Sequence, residues 1–240
     1  MPEKKIIGLI RPFDFPHIEL TVNHLADMVD KIYYFCDMRV DPNIYKYIAG
    51  HPKTGEITHN VCPWSNGDSL QSAFDWLIDL NINPDIILYP DEDEILPGNR
   101  EHIVQKLFNY TEPSCVLLFP FLNCYNDDNT IIVHWVDYPH AKAMKFKDKP
   151  IFLTNRDPHS YMGFCCPQNY KRIQCGYPLR HLTVMTPECR KRRIKHTKCR
   201  PTHGQLPEDY TPHNIVDYHQ HFDIGEWKTL FNKYPKYDIP

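Results

Sequence analysis

Four consecutive acids, Asp91, Glu92, Asp93 and Glu94, follow the apolar run Ile86-Ile87-Leu88-Tyr89-Pro90. Carboxylates packed this tightly repel one another. A folded chain tolerates them most easily when a cation sits among them. If the strand runs on through the acids, Asp91 and Asp93 point to one side and Glu92 points away. The pair then suits one divalent ion held through oxygen, Mn²⁺ or Mg²⁺, with positions left open for phosphate oxygens. Such an ion neutralises a diphosphate as it departs. The plainer reading is a solvated acidic turn. Acids at the carboxyl end of a buried strand also sit where open α/β sheets keep their active sites.

The elements before the acids alternate. Residues 4–10 read as a buried strand, and Ile18, Val22, Leu25 and Val29 recur at helical spacing over 17–30. Residues 31–36 form a second strand ending at Asp37, residues 43–49 a short helix, and residues 57–62 a third strand. Leu70, Ala73, Phe74, Leu77 and Leu80 stripe a helix that begins at Asp68 or Ser69, and the strand 85–90 delivers the acids. Asn99 caps a further helix. This alternation predicts an α/β fold, a mostly parallel central sheet flanked by helices.

The second half differs. Residues 115–125 and 130–136 predict an antiparallel hairpin around Asn126-Asp127-Asp128-Asn129. Thr186-Pro187-Glu188 starts a basic helix over 187–198. Residues 200–222 read as an ordered loop, and Asp223 with Glu226 starts a last helix carrying Trp227, Leu230 and Phe231. No linker or repeat divides the 240 residues, so a single domain is expected.

Composition excludes several classes. Net charge is −3, which argues against a generic nucleic-acid binder, yet residues 186–200 carry seven Lys/Arg against one acid. There are nine cysteines and no CxxC pair. No stretch approaches the roughly 20 apolar residues of a membrane helix. A soluble chain with reduced thiols in a cytoplasmic setting is expected. Glycine is scarce, and neither GxGxxG nor GxxxxGK[ST] occurs, against dinucleotide and P-loop enzymes.

The segment Pro84-Asp85-Ile86-Ile87-Leu88-Tyr89-Pro90-Asp91-Glu92-Asp93-Glu94 resembles the DxDE strand of family 2-like glycosyltransferases with the GT-A fold. The order strand, Arg11, helix, strand, Asp37 and Asp41 resembles the same family. The likeness covers residues 4–110 and continues more loosely to about 198. Arg11-Pro12-Phe13-Asp14 replaces the family's Arg-Asn-Glu, and its Gly-Ser-Thr is absent.

The resemblance implies a single GT-A-like, Rossmann-like domain. Residues 1–110 would form its nucleotide-binding half and 111–200 its acceptor half, with a C-terminal loop and helix over 201–240. It implies a metal-dependent transferase moving a sugar from a nucleoside-diphosphate sugar, most simply a UDP-sugar, to an acceptor hydroxyl. Asp91, Asp93 and His181, in Pro178-Leu179-Arg180-His181, would hold the ion, with His159 the competitor for His181. Arg11, Asp37 and Asp68 would line the nucleotide pocket. For an inverting reaction Asp157 and Glu94 are the candidates for a base on the acceptor hydroxyl, and a retaining reaction requires no base in that place. Lys142 and Lys145 resemble a family strand beside the acceptor cleft, where Trp64, Trp135 and Tyr138 are candidate stacking residues.

Arg190, Arg193 or Lys198 on the basic helix suits the donor diphosphate, and the same stripe suits a polyanionic acceptor. Two acceptors are carried forward, a glycan and hydroxymethylated phage DNA. The competing class is a non-catalytic, zinc-stapled binding module built on Cys165, Cys166, Cys175, Cys189 and Cys199 with His181, His196 and His203. His219 and His221 form a further His-x-His candidate.

Overall fold

The computed structural model describes residues 4–61, 66–128, 130–152, 166–175, 177–183, 185–197 and 215–217. Its first half alternates as the sequence predicts. The order is β1 (Ile6–Ile10), α1 (Ile18–Met28), β2 (Lys31–Asp37), α2 (Pro42–Gly50), β3 (Thr54–Asn60), α3 (Asn66–Asp79) and β4 (Ile86–Leu88). Then come β5 (Glu94–Ile95), α4 (Arg100–Phe108), β6 (Cys115–Cys124) and β7 (Thr130–Lys145). The remaining described elements are β8 (Lys171–Gln174), β9 (Leu179–His181), α5 (Pro187–Thr197) and β10 (Ile215–Asp217).

One sheet joins all ten described strands, in the order β3-β2-β1-β4-β7-β6-β9-β5, with β8 on β6 and β10 on β7. Strands β1 to β4 are mutually parallel, and β7 enters antiparallel between β4 and β6. Strand β5 closes the far side antiparallel to β9. The fold is thus a Rossmann-like α/β sheet, mostly parallel, with its antiparallel part in the second half.

Local chemistry explains the elements. Every residue of β1 and β4 is buried, so both strands read as unbroken apolar runs. On β1, Ile6 and Ile10 join one core with α1, α2 and α4 through Leu25, Ile48 and Leu107. Ile7 and Leu9 join the opposite core with Leu70, Phe74 and Leu77 of α3. Helix α2 starts on Asp41, whose carboxylate accepts from the Asn43 N–H, and α4 starts on Asn99, which accepts from the His102 N–H. Asp30 ties the opposite end of the sheet, accepting from the Ile6 N–H and from Arg100.

Two expectations change. The strand before the acids stops at Leu88 instead of reaching residue 90, so the acids do not inherit its alternation. Strand β7 runs on to Lys145, well past residue 136. The last helix expected from Asp223 onward lies outside the described residues. No helix among the described residues is long and apolar enough to cross a membrane.

Gly8 lets α1 approach β1. A Cβ there would stand 2.7 Å from Leu25 Cδ2, and Leu25 is itself buried. Gly8→Ala is expected to cost about 1–3 kcal/mol through overpacking. A denaturant melt reads this, and an unchanged midpoint would reject the packing account.

Candidate active site

The acids form a turn rather than a strand end. The Glu94 N–H donates to the Asp91 carbonyl, and the Asp91 N–H donates to Glu94 Oε2 at 2.7 Å. A turn fans its side chains out, so each acid meets its own partners. Asp91 Oδ1 accepts from Arg11 at 2.6 Å, and its Oδ2 accepts from the Lys142 ammonium at 2.5 Å. Glu94 Oε2 lies 2.8 Å from the same ammonium. Glu92 accepts from the Phe13 and Phe15 N–H groups and pairs with Arg192. Asp93 Oδ2 lies 3.6 Å from His181 Nε2 and 3.6 Å from Arg192.

The partners come from separate elements. Arg11 follows β1 directly, at the carboxyl edge shared with β2 and β4. Arg192 lies on α5, which also meets the Phe13–Phe15 loop through Asp14 and meets His17 through Thr186. Thr186 caps α5 as expected, accepting from the Cys189 N–H. His181 lies on β9 directly across from Glu94. Asn123, fully buried on β6, sets its ring, with Oδ1 3.0 Å from His181 Nδ1. With that oxygen assigned as acceptor, Nδ1 carries the proton and Nε2 faces Asp93.

Electrostatics separates the acids. Burial works to raise Asp91, but Lys142 and Arg11 outweigh it and hold its carboxyl well below the usual range. Burial works to raise Asp93, but a positive charge on the His181 ring and the guanidinium of Arg192 outweigh it and draw Asp93 to about 2. Burial dominates at Glu92 and raises it to about 7 despite Arg192. Glu94 is also raised to about 7, by burial, because it shares Lys142 with an Asp91 that also holds Arg11. His140 is pushed down to about 3, by burial and by Lys142.

Several sequence expectations are corrected. Glu92 does point away from Asp91 and Asp93, but into the protein, at 5% exposure. Asp91, Asp93 and His181 gather in one place, yet Asp91 spends both oxygens on Arg11 and Lys142. No group of three acid, His or Cys side chains among the described residues is arranged to hold a metal. Asp93 and His181 do fit one as a pair. Their oxygen and nitrogen are too far apart to hydrogen-bond and near enough for one ion to touch both.

Glu94 does not suit a base on the acceptor. Its side chain is 1% exposed inside the ion pair, out of reach of an incoming hydroxyl. Asp157, His159, Trp64 and Lys198 lie outside the described residues, as do the side chains of Arg193, Trp135 and Tyr138. Asp37 is buried and is gripped by the Arg39 N–H and guanidinium, which leaves Arg39 exposed over the Phe13 ring. Asp41, four residues on, is a helix cap. Asp68 lies in the first turn of α3. Arg190 turns inward, toward the Met185 carbonyl and the Tyr125 ring, away from any exposed diphosphate position. Lys145 lies over the Phe108 ring.

Arg192 and Lys142 are the cations that spacing alone did not pick for the acids. Arg192 shares the inward side of α5 with Cys189, a weak periodic signal. The described members of the zinc candidate, Cys166, Cys175, Cys189 and His181, form no cluster. Cys165, Cys199, His203, His219 and His221 lie outside the described residues, as does the side chain of His196.

No family model matches this sequence, and no curated protein matches it. Among solved structures it is similar to a 4-diphosphocytidyl-2C-methyl-D-erythritol synthase, at 12% identity and TM-score 0.41, over 60% of this chain and 75% of that one. It is similar to HddC from Yersinia pseudotuberculosis at 10% identity and TM-score 0.43, over 81% and 99% of the two chains. A 4-diphosphocytidyl-2C-methyl-D-erythritol synthase from Anaerococcus prevotii matches at 13% identity and TM-score 0.39, over 71% and 87%. Similarity this loose carries no argument about the chemistry of this chain.

A carboxyl whose folded pKa lies above its unfolded value binds its proton more tightly when folded. Glu92, raised from 4.5 to about 7, therefore contributes stability below its unfolded value and loses it as pH rises through 7. In EDTA the melting temperature is expected to fall between about pH 5 and pH 8, and Glu92→Gln is expected to make that fall shallower, with the remainder belonging to Glu94. An equal slope in both proteins would reject the assignment.

Proposed function

We propose that this protein is a glycosyltransferase using a nucleoside-diphosphate sugar, with Mn²⁺ or Mg²⁺ held by Asp93 and His181. One observation carries the reading. A carboxylate and an oriented imidazole face each other at 3.6 Å beside the carboxyl edge of a parallel sheet. A site with two protein ligands leaves room for diphosphate oxygens. When bound, the ion supplies positive charge to the departing diphosphate.

The chain's own residues do the rest. Asn123 orients the His181 ring, and Arg192 steadies Asp93 from the other side. Arg11 brings a guanidinium to the same edge, suited to a phosphate oxygen. The anomeric carbon–oxygen bond to the diphosphate breaks, and a bond to the acceptor oxygen forms. The acceptor proton passes to a carboxylate, for which the burial of Glu94 leaves Asp157 as the remaining candidate. Arg190 and Arg192 are turned into the protein, which weakens the basic helix as a DNA-binding stripe. A glycan hydroxyl is the acceptor this reading favours.

Calorimetry with UDP tests the proposal. Mn²⁺ is expected to tighten UDP binding, and Asp93→Ala with His181→Ala is expected to weaken the metal-dependent part by about 10- to 100-fold. UDP binding that ignores Mn²⁺, or a double variant that binds like the wild type, would defeat it.

A further inference from the structure

Lys142 lies in β7, where the pairing with β6 slips. Leu117 pairs with Ala143 and Leu118 pairs with Ala141, so Lys142 is the extra residue of a bulge. The packing agrees. Ala143 belongs to one core and Ala141 to the opposite one, whereas a regular strand would put both on the same side. A lysine is costly to bury without partners. This one is 1% exposed, with its ammonium 2.5 Å from Asp91 and 2.8 Å from Glu94. Its own carbonyl accepts from the Tyr89 N–H, which fixes the bulge against the segment entering the acid turn.

We infer that Lys142 is a positioning residue: its ammonium, aimed by the bulge, is the built-in counter-ion of Asp91 and Glu94 and keeps Asp91 out of the metal's coordination. The inference rests on the metal pair proposed above and reassigns one member of the acid motif. Asp91 anchors Arg11 and Lys142, and Asp93 alone among the four acids meets the ion. A fixed ammonium beside a cation site also repels the ion, so the site as built binds metal more weakly than its four acids imply.

Two measurements on the full chain test this. The first is Mn²⁺ binding read by electron paramagnetic resonance. Asp91→Asn is expected to keep near-wild-type affinity, and Asp93→Asn to lose about tenfold or more. Lys142→Met is expected to tighten Mn²⁺ by about tenfold, because Asp91 and Glu94 are released to the ion. Adding Asp91→Asn to Lys142→Met should cancel that gain. A loss in Asp91→Asn equal to that in Asp93→Asn overturns the inference, as does unchanged affinity in Lys142→Met. A purely structural lysine would not tighten metal binding.

The second measurement is a thermal double-mutant cycle in EDTA over Asp91→Asn and Lys142→Met. The double variant is expected to lose less than the two single losses together, since removing Lys142 then no longer strands a charged Asp91. Additive losses overturn the inference. If no variant binds Mn²⁺, the proposed metal site fails, and the cycle alone then decides whether Lys142 is the counter-ion.

Discussion

The structure depends on neutralising four carboxylates in one turn. Among the described residues, three guanidinium or ammonium groups reach them, and two of these serve two acids each: Lys142 meets Asp91 and Glu94, and Arg192 meets Glu92 and Asp93. A buried ion pair adds little net stability, but removing one partner leaves a lone charge that costs about 3–5 kcal/mol. The turn therefore specifies more than it stabilises. Its partners stand 80, 51 and 100 residues away along the chain, in Arg11, Lys142 and Arg192. The first loop, β7 and α5 must all arrive before the acids can be buried. Charge adds here to the strand pairing and apolar packing that join the two halves.

This constraint explains why the turn is asymmetric. Asp91 takes two cations and Glu94 receives a shared one. Glu92 is paid for largely by two backbone N–H groups and Arg192, and burial still wins there. Asp93 stands apart, with an imidazole and a guanidinium both at 3.6 Å. Four acids adjacent in sequence thus meet four different sets of partners. The alternation rule fails because β4 ends three residues before the first acid. A turn, unlike a strand, gives adjacent side chains independent directions.

The fold's first half was legible because its signals are local. Helical spacing in α1 and α3, the Asn99 cap and the unbroken apolar runs of β1 and β4 each carry their own physics. What stayed hidden is non-local. Strands β5 and β9 are two and three residues long and exist only because they pair with each other and, for β9, with β6. The register slip that aims Lys142 leaves no mark in Ala141-Lys142-Ala143. His181 draws attention only through its segment's resemblance to a family motif. Arg192 carries no such signal, because a count of charges in 186–200 cannot say which of them turn inward.

That last point bears on function. A basic segment on an acidic chain invites a polyanion reading, and the arithmetic of net charge supports it. Geometry withdraws part of that support. Arg192 is consumed by Asp14, Glu92 and Asp93, and Arg190 is buried over Tyr125. Both then act within the protein, one to steady the acid turn and one to seat the helix. A cation already committed to a buried carboxylate cannot release counterions from a phosphate backbone, so it adds nothing to non-specific nucleic-acid affinity. Among the described cations of this helix, Arg192 is the one that holds the acids of the turn, so one charge of the basic segment already belongs to the acid cluster.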